Sequence, residues 1–246
     1  MKRYEGQVCL VTAATEGIGF AIAQRMAEEG ATVHICSRKK ANVDRALEEL
    51  KGLNVIGHVC NVGSAKARQE MLSKISAQHN GRLDVLVPNA ACSTHFGANM
   101  GISESAYDKM FDLNVKSTFF LIKECHPMLE ASAAQGGHAN ICVVSSYVGR
   151  NPNMALGVYS MTKAALDNMI VSLCAEFRPD GIRVTGVAPG LVKTKLAGPI
   201  FSKDIDPTSY ALPPAIGSVV ATICSKSDGS FMNGEIFHVN GGHPKI

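Results

Sequence analysis

Residues 7–29 read Gln-Val-Cys-Leu-Val-Thr-Ala-Ala-Thr-Glu-Gly-Ile-Gly-Phe-Ala-Ile-Ala-Gln-Arg-Met-Ala-Glu-Glu and carry the strongest fold signal in the chain. An apolar run of strand length at 7–12 leads into a turn that contains Gly17 and Gly19, and apolar residues at helical spacing follow. A helix that begins at a glycine turn offers free N–H groups and a positive dipole end to a phosphate. The stretch therefore predicts a strand, a phosphate-binding turn and a helix; an ordinary capped turn is the alternative.

Strand-like and helical segments alternate along the rest of the chain. Strand-like runs lie near residues 7–12, 31–36, 54–60, 83–88, 139–145, 182–187 and 234–239, and helical periodicity fills 18–29, 40–51, 64–79, 103–133, 157–178 and 213–226. Such alternation predicts an α/β fold with one Rossmann-type, doubly wound parallel sheet of about seven strands and helices on both faces. We expect a single domain over residues 1–246.

Chemically capable residues follow the predicted strands. Ligands of a parallel sheet bind beyond the carboxyl ends of its strands, where the strand order reverses. Each of five candidate residues comes after such a strand: Gly17, Ser37, Asn89, Ser146 and Pro189. We therefore expect these residues to gather at one edge of the sheet.

The segment Ser37-Arg-Lys-Lys40, after the second predicted strand, indicates the type of cofactor. NAD sites carry an acidic residue about 20 positions after the glycines, where it binds the ribose 2′-hydroxyl. Here no carboxylate is present, and the planar fork of Arg38 can bind a 2′-phosphate. The segment predicts NADPH as the cofactor. A solvated basic helix start is the alternative for Lys40 and partly for Lys39.

Tyr159 and Lys163 are separated by four positions, and Ser146 precedes Tyr159 by thirteen residues. On a helix this spacing puts the phenol and the ammonium one turn apart on the same face. An ammonium beside a phenol, whose ordinary pKa is about 10, favours the phenolate. We therefore expect Lys163 to lower the pKa of Tyr159. We expect the hydroxyl groups of Tyr159 and Ser146 to bind one and the same oxygen of a substrate carbonyl or alcohol. An amphipathic helix with an exposed lysine is the alternative interpretation of the spacing alone.

Taken together, the motifs resemble the short-chain dehydrogenase/reductase family over nearly the whole chain. They occur in the family's order: Thr12-Ala-Ala-Thr-Glu-Gly-Ile-Gly19, Pro88-Asn-Ala-Ala91, Asn114-Val115, Ser146, Tyr159-Ser-Met-Thr-Lys163, and Pro189-Gly190 followed by Thr194. Further segments resemble the peroxisomal NADPH-dependent carbonyl reductase and retinol dehydrogenase-reductase branch: Gly19-Phe-Ala-Ile-Ala23, Ser37-Arg-Lys-Lys-Ala-Asn-Val-Asp44, Val59-Cys-Asn-Val-Gly63 and Ala188-Pro-Gly-Leu-Val-Lys-Thr194.

The resemblance implies a role for each matching residue. Tyr159 would be the general acid of reduction, and Lys163 would support it and bind the nicotinamide ribose. Ser146 would orient the substrate carbonyl, and Asn114 would bend its helix and hold a proton-relaying water; a buried, satisfied asparagine is the alternative. Besides Tyr159 and Lys163, the implied cofactor-binding residues are Thr12, Ala13, Thr15, Glu16, Gly17, Ile18, Gly19, Ser37, Arg38, Lys39, Asn61, Val62, Asn89, Ala90, Ala91, Pro189, Gly190, Val192 and Thr194. Members of the family form dimers and often tetramers.

Three departures from the family pattern concern the cofactor and the substrate. Ala13 replaces a glycine, which a negative φ would allow, and Asn61 replaces an aspartate that faces the adenine in many relatives. The substrate lid, at about 191–214, is roughly ten residues shorter than in the carbonyl reductase branch. The expected reaction is reduction of apolar ketones or aldehydes, including aromatic ketones, α-dicarbonyls and retinal-like aldehydes. A 3-oxoacyl-thioester reductase and a low-activity, cofactor-bound sensor or scaffold stay open as alternatives.

Composition excludes other classes of function. The chain has 246 residues, 46% of them hydrophobic, and a net charge of +3. Its basic residues form no long block, which argues against nucleic acid as a partner. No apolar run reaches membrane-spanning length. The eight cysteines contain no C-x-x-C pair and the eight histidines form no ligand grouping, so we expect no metal. The terminal Pro244-Lys245-Ile246 loosely resembles a peroxisomal address, so a cytoplasmic or peroxisomal location is expected.

Overall fold

One sheet of seven parallel strands forms the centre of the computed structural model, which describes residues 2–136, 138–201 and 206–242. The strands are β1 Val8–Thr12, β2 Thr32–Ser37, β3 Val55–Val59, β4 Val85–Val87, β5 Asn140–Val144, β6 Arg183–Pro189 and β7 Ile236–Val239. Their order in the sheet is β3-β2-β1-β4-β5-β6-β7, and every neighbouring pair is parallel. The predicted doubly wound α/β sheet is confirmed.

Helices cover both faces of this sheet. They are α1 Gly17–Glu28, α2 Lys40–Glu49, α3 Ala65–Gln78, α4 Glu104–Phe111, α5 Ser117–Ala134, α6 Gly157–Phe177 and α7 Pro213–Cys224. Alternate residues of β1 enter two separate hydrophobic cores, because successive strand side chains point to opposite faces. Val8 and Leu10 pack in one core, and Cys9 and Val11 pack in the other.

The helical stretch predicted over 103–133 is interrupted by a π-helical turn, Asp112–Lys116, between α4 and α5. Hydroxyl groups on the next turn bind backbone carbonyls there: Ser117 Oγ donates to Leu113 O at 2.6 Å, and Thr118 Oγ1 donates to Asn114 O at 2.8 Å. A π-turn widens the helix and leaves carbonyls for such partners. The predicted helical segment is therefore present, and the π-turn that interrupts its α-helical bonding contains Asn114, where the resemblance implied a bend.

The carboxyl ends of β1 and β4 are joined where the strand order reverses. Thr12 Oγ1 accepts hydrogen bonds from the backbone N–H groups of Asn89 at 3.0 Å and Ala90 at 3.3 Å. The Asn89 amide donates to Thr12 O at 2.9 Å. These bonds fix the two strand ends that border the crevice of a doubly wound sheet.

Three imidazoles form a hydrogen-bonded chain that leads out from β2. His34 is fully buried; its Nδ1 lies 2.8 Å from His58 Nε2, and its Nε2 lies 2.8 Å from His79 Nε2. Burial, together with the neighbouring His58 and His79, lowers the pKa of His34 to about 3. Burial also lowers the pKa values of His58 and His79. The three imidazoles are therefore neutral in the folded protein at pH 7.

We expect the three buried imidazoles to make the folding stability of the protein fall in mild acid. Below pH 6.5 the unfolded protein protonates His34 but the folded protein does not, so stability falls with pH by about 1 kcal/mol per unit for this group. The His34→Gln variant should lose stability less steeply between pH 7 and 5. Urea unfolding at several pH values measures both slopes, and identical slopes would contradict the expectation.

Candidate active site

Two cavities meet along the carboxyl edge of the sheet. The larger, about 520 Å³, lies beyond β1, β2 and β3, and the smaller, about 300 Å³, lies beyond β5 and β6. Ala91 and Ser93, after β4, line both. The cavities therefore form one elongated crevice at the point where the strand order reverses.

Ser146, Tyr159 and Lys163 all line the smaller cavity. Ser146 follows β5 and begins a short 3₁₀ turn, where its Oγ accepts a hydrogen bond from Val148 N at 3.4 Å. Tyr159 and Lys163 lie one turn apart on α6. Lys163 is only 2% exposed; its Nζ donates to Val144 O at 2.9 Å and lies 5.5 Å from the centre of the Tyr159 ring. The structure thus brings the three residues together, with the ammonium facing the ring.

The pKa of Tyr159 is not lowered in this structure, and the lowering expected from Lys163 stays a prediction. The pKa of Tyr159 is raised well above its usual range, because enclosure removes solvent from the phenolate and Cys92 opposes its charge, while a hydrogen bond with Ser146 works against the rise. Tyr159 is half-buried and faces the open cavity, so water moderates this effect. Burial lowers the pKa of Lys163 to about 8, against the raising effects of Asp167 and Cys92. At pH 7 Tyr159 is a neutral phenol and Lys163 is mostly an ammonium.

Asn114 lies in the wall behind these residues and is fully buried. Its Oδ1 accepts from Cys92 N at 2.8 Å, and its Nδ2 donates to Cys92 O at 2.9 Å and to Thr162 Oγ1 at 3.1 Å. Both ends of the amide therefore have protein partners, as in the structural alternative considered above. The water relay from Lys163 stays a prediction.

The turn before α1 fits a pyrophosphate. Gly17 has a φ of +62°, and a Cβ on Gly19 would lie 2.5 Å from Asn89 Nδ2, so both positions favour glycine. Glu16 makes no side-chain cap on α1, which leaves N–H groups of the first turn open to an anion. The Glu16 carboxylate instead forms ion pairs with Lys195 and, at 3.8 Å, with Arg45.

Ala13 contradicts one condition stated for it. A negative φ was expected, but the structure gives +50°, in the left-handed region. An L-residue with a Cβ is strained there by about 1–2 kcal/mol. The Ala13 methyl lines the larger cavity, so the strain lies at the proposed cofactor turn.

Cations border the far end of the larger cavity. Ser37, Arg38 and Lys39 line it, and neither cation forms an ion pair with another described residue. Lys40 does not line it and is bound to Asp44 at 2.7 Å. A phosphate placed there would therefore meet two unpaired cations.

Most of the remaining predicted residues line one of the cavities. The larger also contains Ala13, Thr15, Glu16, Asn61, Val62, Ala90 and Ala91, and the smaller contains Ile18, Asn89, Ala91, Pro189, Gly190, Val192 and Thr194. Thr12, Gly17, Gly19 and Asn114 do not line either and instead support the walls. Sequence reasoning missed part of the apolar wall of the smaller cavity: Phe96, Val148, Leu156, Leu196 and Ile200. Two of them, Val148 and Leu156, lie between Ser146 and Tyr159 in the sequence, and Leu196 and Ile200 lie within the predicted lid, so their positions could have indicated them.

The predicted lid is described except for residues 202–205. Its two arms pair through Val192 and Ala211, with Lys193 N donating to Ala211 O at 2.9 Å. Thr194 Cγ2 lies 3.3 Å from the position of a Cβ on Gly17, so the first arm crosses the glycine turn. Leu196, Ala197 and Ile200 then cover the smaller cavity.

Comparisons with known proteins agree on the family. The pattern of the short chain dehydrogenase family matches residues 7–205. Dehydrogenase/reductase SDR family member 4 from Mus musculus is 39% identical over 97% of this chain and 87% of that protein, and its Homo sapiens counterpart is 36% identical over the same shares. The crystal structure of 3-ketoacyl-(acyl-carrier-protein) reductase from Brucella melitensis complexed with NADH superimposes with a TM-score of 0.90, 26% identity, and coverage of 97% of this chain and 98% of that one.

The described residues contain neither a membrane-spanning helix nor a metal-binding cluster. None of the described helices is long and apolar enough to cross a membrane. The described part of the chain contains no cluster of three or more side chains suited to hold a metal ion. The terminal Pro244-Lys245-Ile246 lies outside the described residues.

We expect Ala13→Gly to stabilise the protein. Relief of the left-handed strain exceeds the entropy that glycine adds to the unfolded chain, about 0.4–1 kcal/mol, so the melting temperature should rise by about 2–4 °C. Ala14→Gly is the matched control: Ala14 is buried and has no positive φ, so its melting temperature should fall. Calorimetry of both variants checks this, and destabilisation by Ala13→Gly would contradict the role of strain.

Proposed function

The chain belongs to the short-chain dehydrogenase family and is an oxidoreductase that acts on CH–OH and carbonyl groups with a nicotinamide dinucleotide, and we propose that it reduces apolar ketones and aldehydes with NADPH. The observation that carries this proposal is the position of a neutral Tyr159 beside Ser146 in an apolar cavity. A protonated phenol is suited to donate a proton, which is the task of reduction.

The smaller cavity favours an uncharged substrate. Among the described residues that line it, Lys163 alone carries a charge, and it lies at the rear of the wall. Phe96, Leu156, Leu196 and Ile200 contribute apolar surface around the reacting centre. Such walls support aromatic ketones, α-dicarbonyls or retinal-like aldehydes as candidate substrates.

The proposed chemistry assigns one task to each residue. Bound NADPH supplies the hydride. Ser146 Oγ donates a hydrogen bond to the carbonyl oxygen and orients it, and Tyr159 delivers its phenolic proton to the same oxygen. Lys163, as an ammonium behind the ring, stabilises the phenolate that is left. Water entering the open cavity can then return a proton to Tyr159.

NADPH is proposed over NADH on the charges around Arg38. Arg38 and Lys39 line the larger cavity without ion pairs to other described residues, and the end of β2 offers no carboxylate for a ribose 2′-hydroxyl. Asn61, whose Oδ1 accepts from Gly63 N at 3.2 Å, lines the same cavity. A 2′-phosphate would be bound by two cations and repelled by no acid in that segment.

We also propose that the lid is shortened and that copies of the chain associate. The match to the mouse relative extends over 249 positions, whereas 97% of this chain is about 239 residues, so about ten positions have no counterpart here. On α5, Phe119 and Phe120 are 41% and 38% exposed, and Val171 on α6 is 52% exposed. These apolar faces support pairing of α5 and α6 between copies, in a dimer or tetramer.

A panel of carbonyl compounds with NADPH tests the function. We expect turnover of apolar ketones or aldehydes, followed as loss of NADPH absorbance, and at least about 10³-fold loss of turnover in Tyr159→Phe with NADPH binding retained. Faster reduction of 3-oxoacyl thioesters would favour the thioester reductase alternative. Absence of turnover with NADPH still bound would favour a sensor, and an active Tyr159→Phe would exclude Tyr159 as the acid.

Arg38→Gln should weaken binding of NADPH but not of NADH. Loss of one charged, planar contact to the 2′-phosphate is worth about 1.5–3 kcal/mol, or roughly 10- to 100-fold in Kd. Lys40→Gln is the matched control, because Lys40 is engaged with Asp44 and does not line the cavity. Fluorescence titration of the wild type and both variants with each cofactor gives the dissociation constants, and equal losses for NADPH and NADH in Arg38→Gln would remove the argument for a 2′-phosphate site.

A further inference from the structure

A buried carboxylate connects the strand that ends before Ser146 with the helix that carries Lys163. Asp167 follows Lys163 by one turn of α6, and only 7% of its surface is exposed. Its Oδ1 accepts a hydrogen bond of 2.5 Å from the hydroxyl of Ser145, the residue directly before Ser146. The Ser145 Oγ also lies 3.3 Å from the Lys163 carbonyl oxygen. Asp167 therefore contacts the segment that presents the serine and lies on the helix that presents the lysine.

The second oxygen of Asp167 is not used in a hydrogen bond. Oδ2 is buried and has no hydrogen-bond partner among the described residues, and the Nε of the exposed Arg150 lies 3.6 Å away. A Cβ on Gly149 would lie 3.2 Å from Oδ2 and 3.0 Å from the Lys163 carbonyl carbon. The turn after Ser146 is thus packed directly on this part of α6. The side chain of Arg150 is about half exposed, so solvent weakens this ion pair, and the buried carboxylate still acts on other charges near it.

The Lys163 ammonium is one of the charges on which Asp167 acts, through space rather than through an ion pair. It is almost fully buried and donates one hydrogen bond, to Val144 O. The titratable groups that act on it from the surrounding elements are Asp167 on its own helix and Cys92 after β4, with Tyr159 beneath it. Asp167 is the carboxylate among them, and residues four apart on a helix are neighbours. A buried cation needs a nearby negative charge to stay charged.

We infer that Asp167 is a positioning residue of the reaction, an inference that rests on the proposed carbonyl reduction: its charge keeps Lys163 an ammonium within the protein, and its bond to Ser145 fixes the strand end that presents Ser146. The two effects are separable. The charge acts through Lys163 and changes the pH dependence of the reaction. The hydrogen bond acts through Ser145 and changes the rate equally at every pH.

Asp167→Asn removes the charge and keeps an acceptor for Ser145. The pKa of Lys163 is about 8 because burial lowers it while Asp167 raises it, so loss of the Asp167 charge moves the titration to lower pH. We expect the alkaline limb of kcat for carbonyl reduction to move down by at least about half a pH unit, which is a loss of about 2.5-fold or more at pH 8.5. Asp167→Glu should restore the limb, and Ser145→Ala should lower kcat without moving it.

A second readout does not require turnover. In protein labelled with ¹³C at the lysine ε-carbons, the Lys163 signal, assigned by its loss in Lys163→Met, should titrate at lower pH in Asp167→Asn than in the wild type. Asp167→Thr tests the same charge if the amide variant does not fold. Equal Lys163 midpoints with and without the carboxylate would overturn the inference. If the wild type reduces no carbonyl but Asp167→Asn still lowers the Lys163 midpoint, the proposed function is overturned and the charge effect stands.

Discussion

Parallel pairing places the carboxyl ends of all seven strands at one edge of the sheet, and the candidate active site is built from the loops that leave that edge. Each parallel connection must cross a face of the sheet, and the crossovers from β1 and β4 diverge because the strand order reverses between them. The divergence opens the crevice that the two cavities occupy. Hydrogen bonds between Thr12 and Asn89 join the ends of β1 and β4, so the spacing between the two sides of the crevice does not depend on the lid.

The charged residues of this crevice differ in burial between its rear and its rim. Lys163 is nearly inaccessible, and its environment offers one carbonyl oxygen and the carboxylate of Asp167. Glu16, by contrast, is exposed at the positive end of α1 and is held by two cations. An exposed ion pair contributes little to stability, whereas loss of one partner from a buried set is costly. The rear of the site therefore depends on its electrostatics far more than the rim does.

The sequence predicted what depends on periodicity and local spacing. Alternating strands and helices gave the sheet, and four-residue spacing gave the shared face of Tyr159 and Lys163. What it could not give depends on distances in space. The imidazole chain joins residues 24 and 45 positions apart, and the burial that raises the pKa of Tyr159 comes from neighbouring elements. The positive φ of Ala13 reflects the geometry of the turn, which the identity of the residue does not reveal.

The lid and the glycine turn meet at residues that precede the proposed deletion. Thr194 lies against Gly17, and the next residue, Lys195, binds Glu16, so the first arm of the lid is attached to the cofactor turn on both sides. The departure in length is proposed after Thr194, within the part of the lid that covers the smaller cavity. A change there alters the walls around the substrate while these contacts at the cofactor end are kept. The two ends of the crevice are supported by different residues, so the proposed change in lid length would alter the smaller cavity without disturbing the glycine turn.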